Sequence, residues 1–126
     1  MIAGIVFPNG EAVITLQLRG RQGREKHVQA VVDTGFNDHL TLPRSIVERL
    51  NLRFREGVFC TLADGSQAMA RVFTVDVYWL GGWRRTFALE MEGGALIGMA
   101  LLKGCHLEID AEDKGRVEIR PLENRG

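Results

Sequence analysis

The sequence predicts an all-β fold. Three observations carry that expectation. Short apolar or alternating runs recur along the chain, turn clusters bearing glycine, proline and asparagine separate them, and only two brief stretches show helical spacing. About eight or nine strands and at most two short helices describe a closed barrel or a sandwich.

The elements follow in order. Ile2 to Phe7 is apolar and ends at Pro8-Asn9-Gly10, a strong turn cluster. Ala12 to Leu18 alternates, with Ile14, Leu16 and Leu18 on one face and Val13, Thr15 and Gln17 on the other. Arg19 to Gly23 reads as a hairpin loop and Lys26 to Val32 as the returning strand. Leu40-Thr41-Leu42 is a short extended piece. Pro43 to Leu50 is the first helix: Pro43 suits a first turn, Ile46, Val47 and Leu50 share a face, and Asn51 fits a left-handed cap.

Gly57 to Ala63 and Gln67 to Tyr78 flank Asp64-Gly65, a specific hairpin signal between two β-rich runs. Gly81-Gly82 turns the chain into Trp83 to Met91. Ala95-Leu96-Ile97-Gly98 is wholly apolar and is expected to be buried on both faces. Met99 to Lys103 forms one helical turn stopped by Gly104. Cys105 to Ile109 and Arg116 to Arg120 close a last hairpin.

A chain of 126 residues suits one domain, residues 1–126, with one core. Sixteen basic side chains balance sixteen acidic ones. That neutrality argues against nucleic acid as the main partner, because phosphate binding needs a basic surface, and leaves self-association unopposed by long-range repulsion. No apolar run is long enough to span a membrane, and Met1 to Phe7 lacks the basic n-region of a signal peptide. Cys60 and Cys105 make no disulfide framework, so reduced thiols in a cytoplasm are expected. His27, His39 and His106 share no metal-ligand spacing with each other or with the cysteines; no metal and no cofactor is expected.

The most informative feature is Asp33-Thr34-Gly35, directly after the apolar run Ala30-Val31-Val32. A strand that ends on a carboxylate and turns through glycine displays that carboxylate where folds place chemistry. The bland reading is an Asx-type turn, since Asp and Gly both favour turns. Such a triplet arises by chance in a few per cent of chains this long, on the order of average residue usage. An internal echo adds weight. Val32 to Gly35 and Ala95 to Gly98 each read as an apolar strand, a glycine and then a helix, with Leu96 and Ile97 standing where the first copy has Asp33 and Thr34.

The combination resembles the retropepsin-like aspartic proteases, the retroviral proteases and their single-domain bacterial relatives. The residues that carry it are Ala30 to Asn37, Leu40 to Pro43, the Leu62-Ala63-Asp64-Gly65-Ser66 hairpin and Ala95 to Leu102, in matching order over about residues 2 to 120. The resemblance implies a closed acid-protease-type barrel that is half of a two-fold dimer. It implies Asp33 as the catalytic residue, Thr34 as a hydrogen-bonding partner across the axis, and Gly35 as the residue that permits the tight turn. Phe36, Asn37 and Ile97 would contribute to the pocket, with Leu96, Ile97 and Gly98 packed under the loop. Leu62, Ala63, Asp64 and Gly65 would form a flap over a peptide or protein substrate.

The chemistry explains why a single triplet matters. Hydrolysis by carboxylates alone needs two of them sharing one proton, because two carboxylates about 3 Å apart cannot both ionise. Asp38, Asp76, Asp110 and Asp113 are not followed by Thr/Ser-Gly, and Asp64-Gly65-Ser66 has the wrong order. The second carboxylate then comes from a second copy, and a two-fold homodimer is the expected active form. The chain departs from the retroviral pattern at the flap tip, at Phe36 where alanine is usual, and in a longer tail after Gly104. Those departures keep a second reading in view, a non-catalytic dimeric peptide-binding module on the same fold; a third is an enzyme that cuts only its own precursor.

Overall fold

The computed structural model describes residues 1–123. Ten strands and two short helices make it up: β1 Ile2–Val6, β2 Ala12–Arg19, β3 Glu25–Val32, β4 Leu40–Leu42, α1 Arg44–Arg49, β5 Arg53–Thr61, β6 Gln67–Trp79, β7 Gly82–Glu90, β8 Ala95–Ile97, α2 Met99–Leu102, β9 Cys105–Ile109 and β10 Arg116–Pro121. The all-β expectation holds, with strands over 56% of the chain and a closed six-stranded barrel. The sheet runs β5-β6-β7-β4-β8-β3-β2-β1-β10-β9, and a further β2–β6 pairing closes β2, β3, β8, β4, β7 and β6 into the ring. Ten strands exceed the expected eight or nine because β4 and β8 are only three residues each and still hydrogen-bond fully into the ring.

Alternation fills the barrel. Ile14, Leu16 and Leu18 of β2 face inward, as their spacing predicts, and meet Leu40, Leu42, Val75, Val77 and Ile97 in one apolar cluster. Each such side chain contributes about 1.5–3 kcal/mol on burial, which is why the inward positions are apolar apart from the buried Thr41 and Thr86. α1 and its C-cap cover one end with Val47 and Leu50. Pro43 precedes this helix instead of opening it: its backbone is extended, and its carbonyl takes the N–H groups of Ile46 and Val47. Asn51 adopts the expected left-handed conformation, with φ of 49°.

Three features differ most from the sequence expectation, two boundaries and one burial pattern. β5 starts at Arg53, not Gly57, because Arg53-Phe54-Arg55-Glu56 is an exposed edge strand whose charges mask any alternation. A register shift between Phe54 and Glu56 adds to the masking. The turn before β7 is made by Leu80 and Gly81, both at positive φ, and Gly82 already pairs with Trp79. In β8, Ala95 and Ile97 are buried but Leu96 is half-exposed, so the strand is covered on one face only. Trp79 belongs to the core, whereas Trp83 lies on the outside beneath the Arg19 guanidinium, 4.1 Å from its ring centre.

Candidate active site

Asp33 leaves the end of β3, which runs parallel to β8. The parallel register places Val31 opposite Leu96 and Val32 opposite Ile97. The repeat seen in the sequence is therefore offset by two residues from the structural pairing, and Asp33 lies beside Gly98 rather than Leu96. The Asp33 N–H donates to the Ile97 carbonyl at 2.9 Å, continuing the ladder one step past the strand.

From there the loop is clamped to the β8–α2 junction. Gly98 N–H donates to the His39 carbonyl (2.9 Å), Met99 N–H to the Phe36 carbonyl (2.8 Å) and Ala100 N–H to the Asp38 carbonyl (3.2 Å). With the Asp33 bond, four backbone hydrogen bonds join the two segments, each contributing about 0.5–1.5 kcal/mol net. The buried Thr41 hydroxyl adds a fifth link by accepting from the Leu96 N–H at 3.0 Å. Only glycine fits at 98: a Cβ there would lie 2.0 Å from the Asp38 carbonyl oxygen and 2.6 Å from the Phe36 ring.

Within the loop the Gly35 N–H donates to Asp33 Oδ1 at 2.9 Å, and the Phe36 N–H donates to the Asp33 carbonyl at 3.1 Å. The first bond fixes the carboxylate rotamer. Asp33 is half-buried at the loop mouth while Thr34 and Gly35 are exposed, so the triplet faces outward on a rigid base. Phe36 is half-buried against Gly98, and Asn37 is exposed.

Two cavities flank the loop. One of about 630 Å³ takes in Asp33, with apolar walls from Phe7, Val31, Leu96 and Ile109 and carboxylates from Glu11, Glu112 and Asp113. The other, about 340 Å³, lies on the side of Asp38 and His39, under Val58, Phe59 and Cys60 of β5 and against Phe87 of β7. Ile97 requires a correction. It is fully buried in the core and lines neither cavity, so its part at the site is its carbonyl, and Leu96 supplies the wall. An apolar triplet in a three-residue strand gives no hint of which member points inward.

The hairpin tip forms as expected. Leu62 N–H donates to the Ser66 carbonyl at 2.7 Å, Gly65 N–H to the Leu62 carbonyl at 2.9 Å, and Gly65 has φ of 84°. The Ser66 hydroxyl and N–H both donate to Asp64 Oδ1 and hold its carboxyl below the ordinary aspartate range. Leu62, Ala63, Asp64 and Gly65 are all exposed and line neither cavity; it is the strand behind the tip that does.

His39 has no metal-ligand spacing in the sequence, but six residues after Asp33 it ends the same loop. Its ring stands edge-on to Phe87, with centroids 5.9 Å apart, and its Nδ1 is buried without a partner. Burial pushes its pKa below the ordinary 6.5, against the charge of Asp38, which raises it, and with Arg84, which lowers it further. Glu11, Glu112 and Asp113 were invisible in sequence, since only the fold brings the β1–β2 and β9–β10 turns beside Asp33. Among the described residues no group of three His, Cys, Asp or Glu side chains could hold a metal ion, and no helix is long and apolar enough to cross a membrane.

Comparison with known protein families and with curated proteins finds no match for this chain.

Gly98→Ala is expected to cost about 1–3 kcal/mol by overpacking and to speed amide exchange at Asp33, Gly98 and Met99 specifically. A second outcome concerns His39. A base with a lowered folded pKa gives stability that is complete above its unfolded value and lost as pH falls toward the folded one. The melting temperature is therefore expected to drop between about pH 7.5 and pH 5.5, with a shallower drop in His39→Phe, measured by thermal unfolding across that range.

Proposed function

We propose that this chain is one half of an aspartic endopeptidase, completed when a second copy brings its own Asp33 against the first. One observation carries the proposal: a single Asp-Thr-Gly carboxylate, set in one rotamer by the Gly35 N–H, stands half-buried at the mouth of a loop clamped by four backbone hydrogen bonds. A solvated turn needs no such clamp, whereas a reacting group gains from being held in place. The cavities on either side of the loop offer room for a peptide to lie across it. The resemblance to retropepsin-like proteases, drawn from residues 30–43, 62–66 and 95–102, points the same way.

In this mechanism the ionised Asp33 of one copy takes a proton from a water as its oxygen attacks the scissile carbonyl carbon. The protonated Asp33 of the other copy gives its proton to the carbonyl oxygen, producing a tetrahedral gem-diol. Collapse breaks the C–N bond: one hydroxyl loses its proton to a carboxylate, and the leaving nitrogen takes a proton from the acid partner. Products are an acid and an amine, and the pair returns to its singly protonated form. No cofactor enters the balance.

The exposed Phe59 and Met69, opposite each other on the β5–β6 hairpin, favour apolar peptide segments as occupants of the cleft. The same feature fits a dimeric module that binds peptides without cutting them; that reading gives affinity without products.

Asp33→Asn is expected to abolish cleavage, by about 10³-fold or more, with an unchanged circular dichroism spectrum. Wild-type rates are expected to follow a bell-shaped pH profile on the acidic side, read with a diverse peptide library over about pH 3 to 7. A dimeric wild-type protein that releases no product anywhere in that range would sink the enzyme reading.

A further inference from the structure

A second groove lies on the outer face of β6 and β7, beyond the 340 Å³ cavity. It has a volume of about 450 Å³, and five arginines line it with one acid, Asp76. The whole chain carries sixteen charges of each sign, so this excess is local. We propose that the groove is a subsite for acidic side chains of a peptide whose neighbouring segment occupies the cleft beside the 33–39 loop.

The strand registers explain how the charges converge. Thr74 and Asp76 point outward between the buried Val75 and Val77. Arg53 pairs opposite Thr74, and both Arg19 and Arg85 pair opposite Asp76. Asp76 is already shared, with Arg85 Nε at 3.2 Å and Arg19 Nη2 at 3.5 Å. Arg21 is turned to Asn51, donating to its carbonyl at 2.7 Å and its side-chain oxygen at 2.9 Å. Arg53 has no carboxylate within 4.0 Å among the described residues, and Arg55 reaches only Glu56, at 3.8 Å and exposed. Arg53 is thus left to an external anion, and Arg55, at the cleft end, has only that long, exposed pair to give up. Like charges this close repel, and an incoming carboxylate relieves that repulsion as well as forming new pairs.

Continuity with the cleft selects a peptide. Arg55 lies over the Phe87 ring at 4.4 Å, and these two residues line both the groove and the cavity beside His39. An extended chain leaving the cavity over Phe87 advances about 3.3–3.6 Å per residue and turns alternate side chains to the sheet. It delivers a carboxylate to Arg55 and Arg53 within a few residues. A nucleic-acid backbone fits less well, since the Asp76 carboxylate sits on the groove floor and a phosphate chain cannot skip it. The charges are partly solvated, so the preference is modest and falls with salt.

The direction of the peptide rests on the cleft being the substrate site proposed above; the test reads binding and cleavage separately. Asp33→Asn protein is titrated into fluorescein-labelled peptides that share one apolar segment and end in glutamates, glutamines or lysines, and into a single-stranded DNA oligonucleotide. The glutamate peptide is expected to bind about tenfold tighter than the glutamine peptide at low salt, by anisotropy. Adding Arg53→Glu and Arg55→Glu is expected to transfer the preference to the lysine peptide, a gain an unfolded variant cannot produce. Equal affinity for glutamate and glutamine peptides, a preference untouched by the double change, or tighter binding of the oligonucleotide overturns the proposal. Acid-selective binding without any cleavage by the wild-type protein supports the groove and counts against the protease reading alone.

Discussion

The contact between Gly98 and the carbonyl of Asp38 is what the rest of the site depends on. It brings the β8–α2 junction close enough for three N–H groups in a row, from Gly98, Met99 and Ala100, to reach carbonyls of the 33–39 loop. A loop of this kind has no hydrogen-bonding pattern of its own, so its backbone must be satisfied from outside or left to water. Here a parallel pairing of two three-residue stretches, Ala30 to Val32 and Ala95 to Ile97, sets the approach, and the glycine permits it. That junction places the Asp33 backbone, and the Gly35 N–H then sets the carboxylate's rotamer.

Charge is distributed unevenly on a chain that is neutral as a whole. Carboxylates from Glu11, Asp33, Glu112 and Asp113 meet at one cavity, and arginines from β2, β5 and β7 meet on the outer face of β6. The barrel creates both groupings by bringing together turns and strands far apart in sequence. Between them lies the cleft under β5, with His39 and Phe87 packed edge to face. Under the proposed function, the cleft selects apolar segments while the arginine groove adds an electrostatic bias at a distance from the reacting bond.

Local signals in the sequence located most of the barrel. Period-two alternation in Ala12 to Leu18, the Asp64-Gly65 hairpin and the left-handed Asn51 are each decided within a few residues, and each appears in the structure. Arg53 to Glu56 was hidden because an edge strand with both faces in solvent has no reason to alternate. Ile97 and Leu96 were confused for a similar reason, since three apolar residues in a row carry no phase. The Asp33 turn was legible because the carboxylate and the glycine N–H it accepts from fall in one triplet. The acidic and arginine-rich linings were not, because they are products of tertiary closure: Arg19, Arg53 and Arg85 are separated by dozens of residues and meet only through β6.

Cross-linking at position 33 tests the central claim most directly. Asp33→Cys, made with Cys60→Ser and Cys105→Ser so that it carries the only thiol, forms a disulfide with its mate only if the two Cα atoms approach within about 4.4–6.8 Å. The account predicts a covalent dimer under mild oxidant, at yields that rise with protein concentration and reverse on reduction. A protein that stays monomeric on a non-reducing gel at every concentration, while remaining folded, would contradict it.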